Sequence, residues 1–384
     1  MRVLFPVLSL FWFLHLPCRA LAQQACDDSS LMSVKGSWKK TSDANTFPDT
    51  SFPKSQFPQV NKRIDKMQQI VHAAYPEPLG IEANWYRSIS GHELVKNAGV
   101  PFQFTSMFLC YYCNKNENLL ELGGETGTWL YVWANQLNWF AERVSYYTIN
   151  KQPTYLLTPR AGELNGTALY RGIHNSNSNT GIAYSLASIL TRDGQSPYVP
   201  VTRKIFLRAM LKWNEFEFNK NYANLEQYII VRSNEDEEAY KRKQWDAIEK
   251  RTKPERLAAA RENFLKNYRS SQEQKDQTLA KVKKDYEAKI KAAQDYLANR
   301  SEAELNMPAI IDNLTSFKDF STAERGGQEF VRLNPDYFDP KLPKYIPQFL
   351  IVYWRWDNNA AGKYFSKQIE DHLDFKTLKG LIDK

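Results

Sequence analysis

Residues 347–357 read Pro-Gln-Phe-Leu-Ile-Val-Tyr-Trp-Arg-Trp-Asp, and they decide how the chain is organised. From Phe349 to Trp356 every residue but Arg355 is aliphatic or aromatic, the composition of a strong β-strand. The block before it has a different character. Residues 235–300 hold 17 Lys/Arg and 13 Asp/Glu, with the signs interspersed as on a solvated helix surface. Pro254 divides this block into a shorter and a longer helix. In the longer one, Leu279, Val282, Tyr286, Ile290, Ala293 and Leu297 recur at spacings of three and four, which makes an apolar seam. Polar Gln272 and Lys275 interrupt that seam. A helical hairpin, or a long helix docked on a sheet, fits this pattern better than a free-standing coiled coil. A strand that returns after such an excursion predicts one core interrupted by a helical insertion.

Upstream, residues 82–192 change to a period of two with frequent turn residues. Strands are expected at Trp85–Ile89, Pro101–Cys113, Leu119–Leu122, Thr126–Asn135, Val144–Ile149, Thr154–Thr158, Ala168–Ile173 and Ile182–Thr191. A short helix near Trp139 is expected to interrupt them. Before them, Val60, Ile64, Met67, Val71 and Ala74 form one helical stripe, stopped by Pro76 and Pro78. After them, Thr202 is placed to cap a helix over Arg203–Asn219, with Ile205, Met210 and Phe216 on its apolar face. The C-terminal stretch Lys363–Lys384 reads as helical, with Phe365, Ile369, Leu373, Leu378 and Leu381 apolar. The expected fold class is α+β: a mainly antiparallel, aromatic-rich sheet or sandwich with packed helices and a long charged helical insertion.

The N-terminus has the three parts of a secretory signal peptide: Arg2, the apolar run Val3–Pro17, and the small-x-small site Ala20-Leu21-Ala22. Cleavage is expected between Ala22 and Gln23, which assigns the protein to a secreted or periplasmic location. The run is short for the about 20 residues that span a bilayer, and no later stretch is long and apolar enough to do so. A lipoprotein form is disfavoured, since Pro17 and His15 fit badly before Cys18 and Gln23 fits badly before Cys26. The expected division is thus 1–22 signal, 23–58 polar lead-in with a strand near Ser37–Lys40, 59–234 β-rich core, 235–306 insertion, and 307–384 completing the core.

The 384 residues carry 51 Lys/Arg, 43 Asp/Glu and a net charge of +8, which falls to +6 when Arg2 and Arg19 leave with the signal. Much of the remainder sits on the mixed-sign helices, so the charge does not read as nucleic-acid binding. Cys26, Cys110 and Cys113 remain after cleavage. The expectation is one structural disulfide, of Cys26 with either Cys110 or Cys113, or none at all. Cys110-Tyr-Tyr-Cys113 is a weak redox candidate, because it ends a strand rather than opening a helix. No cofactor and no metal site are expected. There is no HExxH, Gly-x-Ser-x-Gly, phosphate loop or dinucleotide motif. The glycine-rich stretch Gly123-Gly124-Glu125-Thr126-Gly127 has no following Lys, and a strand follows it.

The high aromatic content, with 10 Trp, 21 Tyr and 21 Phe, is the compositional oddity. Trp129, Tyr131 and Trp133 alternate on one strand and share a face, as do Trp354 and Trp356 on another. If exposed, such rings stack on sugars or anchor a protein partner. The favoured function is therefore a non-enzymatic binding or scaffold protein of the cell envelope, taking an envelope glycan or another envelope protein. The alternative is an envelope hydrolase acting on polysaccharide through paired carboxylates, drawn from Glu82, Glu93, Glu121, Glu125 and Glu163.

Overall fold

The computed structural model describes residues 28–42, 52–89, 99–114, 119–137, 141–149, 152–172, 177–178, 181–229, 234–312 and 317–383. The expected signal segment 1–22, Cys26, Glu93 and Trp139 lie outside them. In chain order the first strands are β1 (Trp38–Ser42), β2 (Ile81–Ile89), β3 (Phe102–Asn114), β4 (Leu119–Leu122) and β5 (Trp129–Ala134). They are followed by β6 (Ala141–Ile149), β7 (Gln152–Leu157), β8 (Arg160–Leu164), β9 (Thr167–Arg171) and β10 (Asn177–Ser178). The last are β11 (Gly181–Leu190), β12 (Tyr198–Pro200), β13 (Ile310–Ile311), β14 (Gln328–Leu333) and β15 (Leu350–Asp357). The helices are α1 (Asp28–Met32), α2 (Phe57–Ala74), α3 (Arg203–Ile229), α4 (Asn234–Glu249), α5 (Leu257–Asn299), α6 (Glu302–Leu305), α7 (Ala360–His372) and α8 (Phe375–Lys379).

The strand that returns after the helical excursion, β15, lies inside the larger sheet, whose order is β1-β2-β3-β5-β15-β11-β9-β8. Its Tyr353 is opposite Tyr131 of β5 on one side and Ala187 of β11 on the other, both antiparallel. Among the described strands only β1 runs parallel, to β2. A second sheet has the order β12-β14-β7-β6. The protein is thus α+β with a large antiparallel sheet, and the C-terminal strand pairs with a strand some 220 residues earlier to complete its core.

Alternation along β15 explains why its sequence is apolar throughout. Leu350, Val352 and Trp354 face a first core, while Phe349, Ile351 and Tyr353 face a second, because successive strand side chains point to opposite faces. The first core is closed by the outer helices. The α2 stripe Val60, Ile64, Met67, Val71 and Ala74 is buried there, with Phe365 and Ile369 of α7 and Leu378 of α8. The second core lies between the sheets, where Trp133, Ala187 and Tyr353 meet Tyr155 and Leu157 of β7 and Val331 and Leu333 of β14. The far face of the second sheet, through Leu156 and Phe330, packs on Phe206, Leu207 and Met210 of α3 and on Ala293 and Tyr296 of α5. The layers run helices, sheet, sheet, helices.

The charged block forms a helical hairpin. At 1.5 Å per residue the 43 residues of α5 extend roughly 65 Å. The helix turns back at a short 3-10 turn opened by Pro254 and packs against α4 and α3. Phe218 stacks on Tyr286 at 4.3 Å, and Trp245 meets Phe264 at 6.2 Å. Ala293, at the root, is buried; Leu279, Val282, Tyr286, Ile290 and Leu297 are half-buried, since two helices alone can cover only one stripe of each other.

Several expectations needed correction. α3 runs to Ile229, ten residues beyond Asn219, because α5 backs its second half. Ile205 and Phe216 are exposed rather than core-facing, and Phe206, Leu207 and Met210 are buried. The geometry explains this: at about 100° per residue, Ile205 and Phe216 fall about 20° apart, while Met210 lies about 140° from Ile205. β8, β10, β12, β13 and β14 were not anticipated. Short strands of mixed polarity, such as Gln328-Glu-Phe-Val-Arg-Leu333, lack a clean two-residue period.

Candidate functional site

The second sheet covers only part of the inner face of the first, and the coverage separates the aromatic residues. Trp133 is 1% exposed, sealed by Tyr353, Tyr155 and the β14 side chains. Trp129 and Tyr131, four and two residues earlier on the same face, are half-buried. Their rings are nearly parallel, with centroids 5.7 Å apart and planes 8° from each other. Tyr131 in turn stacks on Trp133 at 4.9 Å, so the row of rings ends on a buried third. The Trp129 indole is also fixed from the side, its Nε1–H donating to the carbonyl of Thr126 at 3.0 Å.

Cross-strand register brings further residues beside these rings. Trp129 is opposite Met107 of β3 and Arg355 of β15; Tyr131 is opposite Thr105 and Tyr353. Tyr86 of β2 is opposite Thr105 and extends the second row. The Arg355 guanidinium lies 5.6 Å from the centre of the Trp129 ring, a cation–π contact. Its Nε–H is buried and finds no hydrogen-bond partner among the described residues. Burial pushes the Tyr131 phenol well above its usual pKa, against the opposing charge of Arg355, so it stays a neutral donor.

Of the five tryptophans and tyrosines expected to bind, two are therefore removed from any surface. Trp133 is closed off between the sheets. Trp354 is fully buried in the first core, where its Nε1–H donates to Ser366 Oγ at 3.2 Å. Both faces of β15 from Leu350 to Trp354 and of the end of β5 are covered, which the sequence period cannot reveal. Trp356 does not join Trp129 and Tyr131. It lies half-buried on the opposite face, stacked at 5.9 Å on Tyr184, which is 42% exposed. Arg355 and Tyr86 were missed. The lone charge in the run 349–356 was the available signal for Arg355; Tyr86 carried none.

The other motifs have structural partners. The glycine-rich turn wraps the protein's own carboxylate: Asp357 Oδ2 accepts from the Gly127 N–H at 2.7 Å, from Thr128 Oγ1 at 3.3 Å and from Thr126 Oγ1 at 3.4 Å. A Cβ at position 127 would sit 2.0 Å from Asp357 Oδ1, so only glycine allows the approach. Buried Glu82 accepts from the Ser37 N–H (3.1 Å), Ser37 Oγ (2.9 Å) and Tyr111 Oη (2.7 Å), and pairs with Lys39 at 3.2 Å. Those contacts join β1 to β2 and β3. Glu121 accepts from Tyr112 and Asn114 within its own hairpin, Glu163 pairs with Arg160, and Glu125 is exposed.

Cys113 is disulfide-bonded while Cys110 is a free thiol, so the two do not pair with each other. Burial raises the Cys110 pKa, the reverse of what a redox nucleophile needs. Among the described residues no cluster of His, Cys, Asp and Glu has the makings of a metal site, and no helix is long and apolar enough to cross a membrane. No family model matches the chain, and no curated protein or solved structure matches it either.

Proposed function

We propose that this protein is a non-enzymatic binding protein of the cell envelope, secreted or periplasmic after loss of residues 1–22, and that it takes a glycan on the Trp129–Tyr131 face. One observation carries the reading: two accessible, nearly parallel rings 5.7 Å apart, in a row that ends on a buried third ring and bordered by Arg355. The exposed edges of the stacked rings meet the C–H groups of a sugar, and the Tyr131 hydroxyl and the Arg355 N–H groups meet its hydroxyls. Both rings are already locked by packing and by the Thr126 hydrogen bond, so little side-chain freedom is lost on binding.

The test is a glycan array and an envelope-fraction pull-down with the mature protein, repeated with Trp129→Ala and Tyr131→Ala. Both variants are expected to lose retention, and Trp356→Ala, on the opposite face, to keep it. Equal retention by wild type and Trp129→Ala would refute the site. Pull-down of a polypeptide through the same residues, without any glycan signal, would replace the glycan with a protein partner.

A further inference from the structure

A separate cavity of about 290 Å³ lies between β9, the end of β11 and the loop that follows it. Its polar lining is made of Thr167, Thr191, Ser196, Tyr170, Tyr198 and Gln195. Ala168 and Ile189 supply apolar lining. We infer that this cavity binds one neutral, polyhydroxylated ring, such as a single sugar or cyclic polyol.

Three features carry the inference. The first is size: the volume is at the lower end of small-molecule pockets, which suits one ring rather than a chain. The second is the kind of polar group. Hydroxyls and a carboxamide each donate and accept, as the hydroxyls of a polyol do, whereas an anion needs fixed donors. The Tyr170 and Tyr198 hydroxyls lie 3.3 Å apart, within hydrogen-bond distance of each other, and bring two phenols to one side of the cavity. Burial and the neighbouring Tyr170 hold the Tyr198 phenol protonated far above the usual range.

The third feature is charge balance. Lys379 is the cation on the lining, and it is paired with Asp193 at 2.5 Å. The adjacent Arg192 turns away to Asp383, the Tyr337 carbonyl and Gln348 Oε1. An anionic ligand would have to break the first pair. The apolar side chain of Ile189 offers the C–H face of a ring its contact, and the loop hydroxyls supply the polar groups. This site stands on residues that the glycan face does not use.

The test is titration of the full mature chain with methyl glucoside, galactose, N-acetylglucosamine and myo-inositol, read by calorimetry and ligand-observed NMR. Glucuronate, glucose 6-phosphate and glucosamine serve as charged comparisons. At least one neutral ring is expected to bind saturably with a millimolar Kd, the affinity small polar ligands of this size reach. Tyr198→Phe and Thr191→Val should each weaken it about 3- to 10-fold, the effect of losing one hydrogen bond, while thermal unfolding stays close to wild type. Trp129→Ala should leave this affinity unchanged, which keeps the cavity and the glycan face distinguishable. The inference is overturned if no neutral ring binds at roughly ten times that concentration, if a charged analogue binds more tightly than every neutral one, or if neither lining variant changes the affinity.

Discussion

Replacing Asp357 by Ala removes the carboxylate around which the 123–128 turn is built. The side chain is buried, and its Oδ2 accepts from the Gly127 N–H, Thr128 Oγ1 and Thr126 Oγ1. The Gly127 bond, at 2.7 Å to an ionised acceptor, is the strong one, and hydrogen bonds to charged groups contribute about 1.5–3 kcal/mol. The other two are long, and together add about 1 kcal/mol. The Gly127 N–H would be left buried without an acceptor, so the expected loss is about 3 kcal/mol. Asp357→Asn keeps one oxygen in place and should cost about 1 kcal/mol. Urea unfolding, followed by tryptophan fluorescence and far-UV circular dichroism, measures the global loss. Hydrogen exchange at the Gly127 amide reads it locally, with about a 100-fold faster rate expected for Asp357→Ala. An unchanged midpoint together with unchanged Gly127 exchange would refute the reasoning, as would equal costs for Ala and Asn.

Three further outcomes follow from the same geometry. Trp133→Ala should cost about 3–5 kcal/mol because it empties a sealed site between the sheets, while Trp129→Ala costs about 1 kcal/mol; equal shifts in urea midpoint would show that the two rings are not distinguished by burial. Glu82 is pushed up by burial, but the hydrogen bonds from Tyr111 and Ser37 and the Lys39 pair outweigh this and hold its pKa below the ordinary carboxylate value. Its stabilising effect is therefore complete above the ordinary carboxylate range and is lost as pH falls through the lowered pKa; Glu82→Gln should flatten that acid limb, and an unchanged pH profile counts against it. In oxidised, folded protein, Cys110 should react slowly with a thiol reagent and Cys113 only after reduction; fast labelling of Cys113 without reductant would contradict the disulfide.

Much of the candidate site was legible as a set of residues and little of it as a surface. The alternation in Trp129-Leu-Tyr-Val-Trp133 correctly placed Trp129, Tyr131 and Trp133 together and sent Leu130 and Val132 to the other core. It could not say that the second sheet ends between Trp133 and Tyr131, because that sheet is assembled from β6, β7, β12 and β14, none of them a neighbour of β5 in its own sheet. Arg355 reached Trp129 only through the pairing of β15 with β5, across 226 positions. The cavity has the same origin, since Tyr170 and Tyr198 lie on strands of different sheets.

By itself, the sequence determined the elements whose signal is local: the buried stripe of α2, the α5 seam, the period-two strands, and a final apolar strand returning to an earlier core. These depend on 3.6- and 2-residue periods, which any window of the chain carries. The tertiary structure alone decided coverage. A strand period states which side chains share a face, but whether that face meets a helix, a second sheet or solvent depends on residues hundreds of positions away. For this protein that distinction separates Trp133 and Trp354, which hold the layers together, from Trp129 and Tyr131, which remain accessible to a ligand.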